Sequence, residues 1–470
     1  MKNGIIISSC ALLTSLMLPL TALAADAPAT PKIDSGDTAF VLICAALVML
    51  MTPGLALFYG GMSRSKNVLN TIMQSFFAVG LISVQWVLFG YTLAFGPDVS
   101  HVIGSLDWLG LKTVTGQPFA DYSATVPHYA FMIFQGMFAV ITPALISGAF
   151  AERMRFPFFV AFTLVWSTLV YDPVAHWVWG VGGWMRDFGI LDFAGGTVVH
   201  ILSGVSGLVI AIMIGKRKGL GSQVMVPHHL PMTVLGASLL WFGWFGFNAG
   251  SALSANDIAA TAFITTHIAA AAATVSWVAA EWLVHGKPTV LGAVSGCVAG
   301  LVAITPGAGF VAPLPAVVIG LIAGVLCFYF VSVLKAKFGY DDALDAFGVH
   351  GVGGTWGALA VGLFASKTVN EAGADGLLYG NAEQLYIQAI GVGVSWVFAA
   401  FMTFIIIKAL SCVLALRVDE TQETQGLDLI EHGERGYASD NMIAGSPIIL
   451  GGEMITAATV APVTDLADNS

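Results

Sequence analysis

Long apolar runs broken by short polar stretches dominate this chain. They fall near 39–62, 68–95, 126–149, 156–180, 193–215, 229–252, 257–283, 289–305, 313–335, 345–366 and 384–416. A helical run of about 20 residues spans a hydrocarbon core about 30 Å thick. The pattern therefore predicts an all-α polytopic membrane protein with eleven transmembrane helices, and the odd number places the termini on opposite sides.

Ahead of the first run, Lys2, the apolar stretch from Ile5 to Leu20 and Ala22-Leu23-Ala24 have the layout of a cleaved secretory signal. Residues 1–24 are read as that signal, 25–38 as a short extracytoplasmic segment, 39–416 as the membrane domain and 417–470 as a cytoplasmic C-terminal region. The distribution of basic residues tests the orientation. With the mature N-terminus outside, Arg64, Lys66, Arg153, Arg155, Lys216, Arg217, Lys218, Lys287, Lys335, Lys337, Lys408, Arg417 and Arg435 fall inside. Only Lys32, Lys112, Arg186 and Lys367 fall outside.

Composition agrees: 57% of the 470 residues are hydrophobic and 10% charged, too few polar residues to clothe a soluble fold of this length. The net charge of -10 is spread over loops and tail, so it marks neither a nucleic-acid partner nor a basic one. Cys44, Cys297, Cys327 and Cys412 stand singly in apolar runs and read as packing residues. Four-residue glycine spacings, such as Gly292, Gly296 and Gly300, predict closely packed helices and not a wide aqueous pore.

Two polar patterns recur. Asp192 to His200, DFAGGTVVH, puts an acid eight residues before a histidine, and Asp342 to His350, DALDAFGVH, repeats that spacing five runs later. Eight helical residues rise about 12 Å, close to half the hydrocarbon thickness. Acids at the two surfaces thus place both histidines near the midplane, on helices of opposite direction. This is the imprint of an inverted five-plus-five repeat with one helix outside it, a transporter architecture. Intramembrane histidines mark functional sites, and neutral imidazoles supply one donor and one acceptor each and relay protons near neutral pH. Asp192 also suits a helix N-cap. His267, in the seventh run, has Ala259 where the acid would stand and is read as an ordinary packed histidine.

The aromatic pattern lies toward the outer side. Phe134 and Phe138 are four residues apart on the third run, Trp177 and Trp179 close the fourth, and WFGWFGFNAGS, Trp241 to Ser251, closes the sixth. Most such rings serve as an interfacial belt or as packing, yet rings hold a cation by about 0.5–2 kcal/mol, and Ser251 adds a hydroxyl acceptor. The arrangement points to capture of a small cation. Carrying an ammonium-sized ion into low dielectric costs of order 20 kcal/mol. Removing its proton at pH 7, from a pKa of about 10.4, costs only about 4–5 kcal/mol.

These motifs carry a family resemblance. PGLALFYGG (Pro53 to Gly61), GAFAER (Gly148 to Arg153), DFAGGTVVH, GWFGFNAGS (Gly243 to Ser251), FGVHG (Phe347 to Gly351) and GLDLIEHGE (Gly426 to Glu434) resemble the ammonium transporters of the Amt/Mep/Rh family, bacterial type, from about Asp37 to Tyr437. The resemblance implies an eleven-helix homotrimer in the bacterial inner membrane that carries ammonium or methylammonium and needs no cofactor or enzymatic activity. On the matching positions, Phe138, Trp179 and Ser251 form the outer recruitment site, with Phe134 beside it and Asp192 near it. Phe138 and Phe247 form the gate, Trp244 lines the pathway, and His200 and His350 are its paired histidines. It also implies a PII-type nitrogen-regulatory partner at the cytoplasmic face, through Arg417 to Tyr437. Met137, where a small residue is common, Asp172 in YDPVAH, and the tail from Tyr437 to Ser470, read as a linker or disordered, depart from the pattern. Two rival readings are a bis-histidine haem electron carrier and an ammonium sensor acting through a bound regulator.

Overall fold

The computed structural model describes residues 31–437 and the backbone of two short strands beyond them. The expected signal segment lies outside the described residues. Among the described residues, ten helices are long and apolar enough to cross a membrane: α1 (Ser35–Met62), α2 (Ser65–Phe95), α3 (His128–Phe150), α4 (Phe156–Asp187), α5 (Gly196–Ile214), α6 (Leu230–Gly250), α7 (Asp257–His285), α9 (Pro313–Phe338), α10 (Phe347–Phe364) and α11 (Ala382–Ser411). Between α7 and α9 lies α8 (Val290–Ile304), apolar but only 15 residues long. At 1.5 Å per residue it covers about 22 Å, and the tightly wound 305–312 stretch continues it. Every predicted run is thus helical, with α8 the one that falls short.

The packing obeys the expected internal symmetry. Pairing α1 with α6, α2 with α7, and so on to α5 with α10, each neighbour relation in the first five recurs in the second. Thus α1 packs on α2 and α3 as α6 packs on α7 and α8; α2 packs on α4 as α7 does on α9; α3 touches α5 as α8 touches α10. Related helices also meet each other, α1 against α6 and α5 against α10. Helix α11 lies outside this scheme, on α4, α5 and α10. Glycines allow the close crossings, since a Cβ at Gly320 would stand 2.3 Å from the Ala269 carbonyl oxygen.

Charge is segregated between the two ends. At one end Arg64 Nε donates to Glu152 Oε2 at 2.6 Å, and Arg217 grips Asp341 through Nε and Nη2 at 3.0 and 2.8 Å. Burial by itself would raise the Asp341 carboxyl; the Arg217 hydrogen bonds and the Arg153 and Arg217 charges outweigh it and hold the group below its ordinary range. The segment after α11 packs on this end through α12 (Glu420–Gln425) and α13 (Leu427–His432). There Arg417 Nη2 donates to Glu423 Oε2 at 2.6 Å, the Leu427 amide to Asn67 Oδ1 at 2.8 Å, and the Asn70 amide to Asp428 Oδ1 at 2.8 Å. The opposite end carries the aromatic residues and a small hairpin, β1 (Asp98–Val99) with β2 (Ile103–Gly104).

Two expectations need correcting. Cys412 is exposed at the end of α11, where the helix leaves its neighbours, whereas Cys44, Cys297 and Cys327 are buried as packing residues. Within the tail, read as a linker or disordered, β3 (Ile448–Leu450) and β4 (Glu453–Ile455) pair antiparallel, an order that a disordered tail would lack.

Candidate functional site

The site is built on two helix starts that repeat each other. Asp192 Oδ1 accepts the Gly195 and Gly196 amides, both at 2.7 Å, and Oδ2 accepts the Thr197 amide at 2.7 Å, the Thr197 hydroxyl at 2.5 Å and the Val198 amide at 3.3 Å. Asp342 does the same for the Ala346 and Phe347 amides, at 3.0 and 2.8 Å. The residue three beyond each acid turns left-handed: Gly195 at φ 110° and Asp345 at φ 63°. Each chain then enters a π-helical turn, Gly196–Ile201 or Phe347–Gly351, with the histidine inside it. A wide π turn aims a side chain away from the ordinary helical spacing, as is frequent at functional sites.

The two turns bring the histidines together. His200 Nδ1 lies 3.2 Å from His350 Nδ1, with the rings 18° from parallel. Both are buried. For neutral rings one Nδ1 donates and the other accepts, which leaves one Nε2 as a free acceptor and the other as a donor. His200 Nε2 is buried without a protein partner.

On the aromatic side lies a cavity of about 250 Å³ lined by Phe138, Trp179, Asp192 and Ser251 among others. Its floor is Phe138, which stacks on Phe247 with centroids 4.2 Å apart. Beyond Phe247 stands His200, 6.1 Å away, which also stacks on Trp244 at 5.4 Å, the indole in turn lying 5.5 Å from Phe247. Trp244 is fixed by an Nε1 hydrogen bond to Thr305 Oγ1 at 2.9 Å. His350 in turn lines a recess of about 10 Å³ with Tyr59, Leu344 and Asp345 toward the basic end. Cavity, Phe138, Phe247, His200, His350 and recess thus follow one another through the molecule.

Several residues occupy places the sequence did not indicate. Phe134 does not line the cavity: it sits behind Phe138, edge-on at 5.0 Å, against Gly250, while Phe131 and Gln135 form the wall. Those two with Phe138 form an i, i+4, i+7 stripe, a signal present in the sequence but masked by the more conspicuous Phe134–Phe138 pair. Asp172 and Met137 also stay out of the wall. Asp172 is buried between α2 and α4, taking a hydrogen bond from Gln85 Nε2 at 2.7 Å, and Met137 is buried in helix packing. His267 is exposed beside Trp241 and Phe245. Asp192 presents no open oxygen to the cavity, so its first task is to hold the helix start. Asp192→Ala is therefore expected to destabilise the fold by about 2 kcal/mol, read as a lowered Tm in detergent, and Asp192→Asn by less.

A sequence model described as the Ammonium Transporter Family matches residues 39–437. The chain belongs to this family. It is 59% identical over 403 residues to a Bacillus subtilis protein named ammonium transporter, covering 86% of this chain and 98% of that one. The corresponding Aquifex aeolicus protein is 49% identical over 409 residues, with coverage of 86% and 94%. Among solved structures, Mep2 of Saccharomyces cerevisiae superposes with a TM-score of 0.78 at 35% identity, over 83% of this chain and 89% of that one. A protein titled Sensor Amt Protein reaches 0.77 at 31% identity, over 84% and 98%. This family member is thus an all-α, multi-pass membrane protein on both sequence and fold.

Proposed function

We propose that the protein takes up ammonium across the bacterial cytoplasmic membrane, with the aromatic end outward. The cation is captured in the cavity against Trp179, Phe138 and the Ser251 hydroxyl, gives its proton to water there, and passes as ammonia through Phe138 and Phe247 to the histidine pair. The observation that carries this reading is the unbroken sequence of cavity, stacked rings and hydrogen-bonded imidazoles. Ser251 Oγ donates to the Phe247 carbonyl at 2.8 Å, which turns its lone pairs to the cavity side. Trp179 Nε1 donates to the Asp192 carbonyl at 2.9 Å, so the indole is held as a fixed wall. Basic residues gathered at the other end fit a cytoplasmic face.

A haem between the histidines is disfavoured, because nitrogens on opposite faces of an iron stand about 4 Å apart with a macrocycle between them. Here the two Nδ1 atoms are in direct hydrogen-bond contact. To test the capture site, Trp179→Leu and Ser251→Ala are each expected to raise the half-saturation concentration for methylammonium uptake. The rise should be about 3- to 30-fold, the loss of one cation–π or charge-assisted contact. Unchanged half-saturation in both variants refutes capture at this cavity.

A further inference from the structure

The aromatic cavity also carries charged groups that a cation trap built from rings and a hydroxyl does not call for. Asp121, in the loop between α2 and α3, and Arg186, at the end of α4, both line it, and both are exposed. Arg186 Nη1 donates to the main-chain carbonyl of Trp179, the residue whose indole walls the cavity, at 2.9 Å. Among the described residues no carboxylate stands within 4 Å of its guanidinium. The other acid of the wall, Asp192, has both oxygens taken by the start of α5. The cavity that should attract a cation therefore bears on its rim both an acid, Asp121, and a cation, Arg186, that no carboxylate within 4 Å neutralises.

We propose that Arg186 sets the affinity of the capture site by opposing the cation with its charge, so that the occupant is held loosely and leaves more readily as neutral ammonia. This rests on the reading of the cavity as the capture site. The physical reason is simple: two positive charges several Å apart in a wet cavity repel, and the neutral form of the same solute does not feel that repulsion. At a water-like dielectric the effect amounts to a factor of about 2 to 5 in binding, and salt screens it over about 10 Å at 0.1 M. Arg186 also braces Trp179, so charge and bracing must be separated by experiment.

The test is methylammonium uptake by the full chain in proteoliposomes, at about 10 mM and about 500 mM salt, for wild type, Arg186→Gln, Arg186→Lys and Trp179→Leu. Arg186→Gln is expected to lower the half-saturation concentration about 2- to 5-fold at low salt, with the difference from wild type shrinking at high salt. Arg186→Lys, which keeps the charge, should stay close to wild type at both. Half-saturation unchanged or raised in Arg186→Gln at low salt overturns the proposal, as does a shift shared equally by Arg186→Lys, which would mark Trp179 bracing as the only role. In either case Trp179→Leu still raises half-saturation if the cavity is the capture site. If Trp179→Leu changes nothing, and Ser251→Ala likewise, the capture-site reading itself fails.

Discussion

Alanine at His200 or at His350 is expected to reduce the ammonium-evoked current of proteoliposomes by about 10²-fold or more. Proton transfer by a positioned side chain is typically worth that much, and here the imidazoles supply the polar atoms between the stacked phenylalanines and the basic-end recess. Each ring depends on the other. Moving the shared hydrogen from one Nδ1 to the other requires the Nε2 protons to exchange roles, so one donation at one face is coupled to one acceptance at the other. Removing either ring leaves its partner with a buried nitrogen and nothing to relay to. The measurement is a current on a solid-supported membrane after an ammonium jump, with each variant shown to be monodisperse by gel filtration. A wild-type current that both substitutions abolish means that charge moves and that the pair carries it. A wild type without current, but with an alkaline shift inside the liposomes, means that ammonia passes alone and the proton stays outside. A current that survives both substitutions assigns the proton another route.

How much of this was legible beforehand follows from the range of the interactions involved. The eleven helices are local facts of length and polarity, and each run was found within a few residues, down to the short α8. The histidine pair was legible because an eight-residue spacing recurs in a chain of reversed direction, so depth was fixed twice by the same arithmetic. What was lost is non-local. Nothing in YDPVAH says that Asp172 meets Gln85, 87 residues away and on another helix. Nor does Arg186, one of four basic residues on the sparse side, announce that it stands over Trp179. That Phe131 and Gln135 line the cavity while Phe134 packs behind Phe138 was hidden for a different reason. Residues 131, 134, 135 and 138 share one broad face of α3, and polarity alone does not say which edge of that face meets the cavity. The π turns were invisible as well, since a shift from one carbonyl partner to the next leaves no trace in residue type.

Valine at Gly204 is expected to abolish transport and to lower the Tm, although Gly204 touches neither cavity nor solute. It lies one turn beyond His200, where α5 crosses the start of α10. A Cβ there would stand 2.0 Å from the Gly351 backbone nitrogen and 2.4 Å from its Cα. Both obstructing atoms belong to the main chain, so no rotamer relieves the clash. Reaching van der Waals distance requires the helices to part by more than 1 Å, roughly. Gly351 adjoins His350, and the same crossing is closed from the other side by Gly354, whose Cβ would come within 2.9 Å of the Gly196 carbonyl and of His200 Cβ. Parting the helices therefore lengthens the 3.2 Å contact between the histidines beyond hydrogen-bonding range. Overpacking of a tight interior typically costs about 1–3 kcal/mol, and a clash with backbone on both sides belongs at the upper end. Gly393→Ala in α11, where a Cβ meets nothing within 4 Å, is the matched control and should leave current and Tm unchanged. Wild-type current in Gly204→Val would show that the pathway tolerates separation of its two histidines, and the crossing would then be a packing device only. Loss in Gly204→Val with retention in Gly393→Ala ties conduction to the helix crossing that sets the imidazole distance.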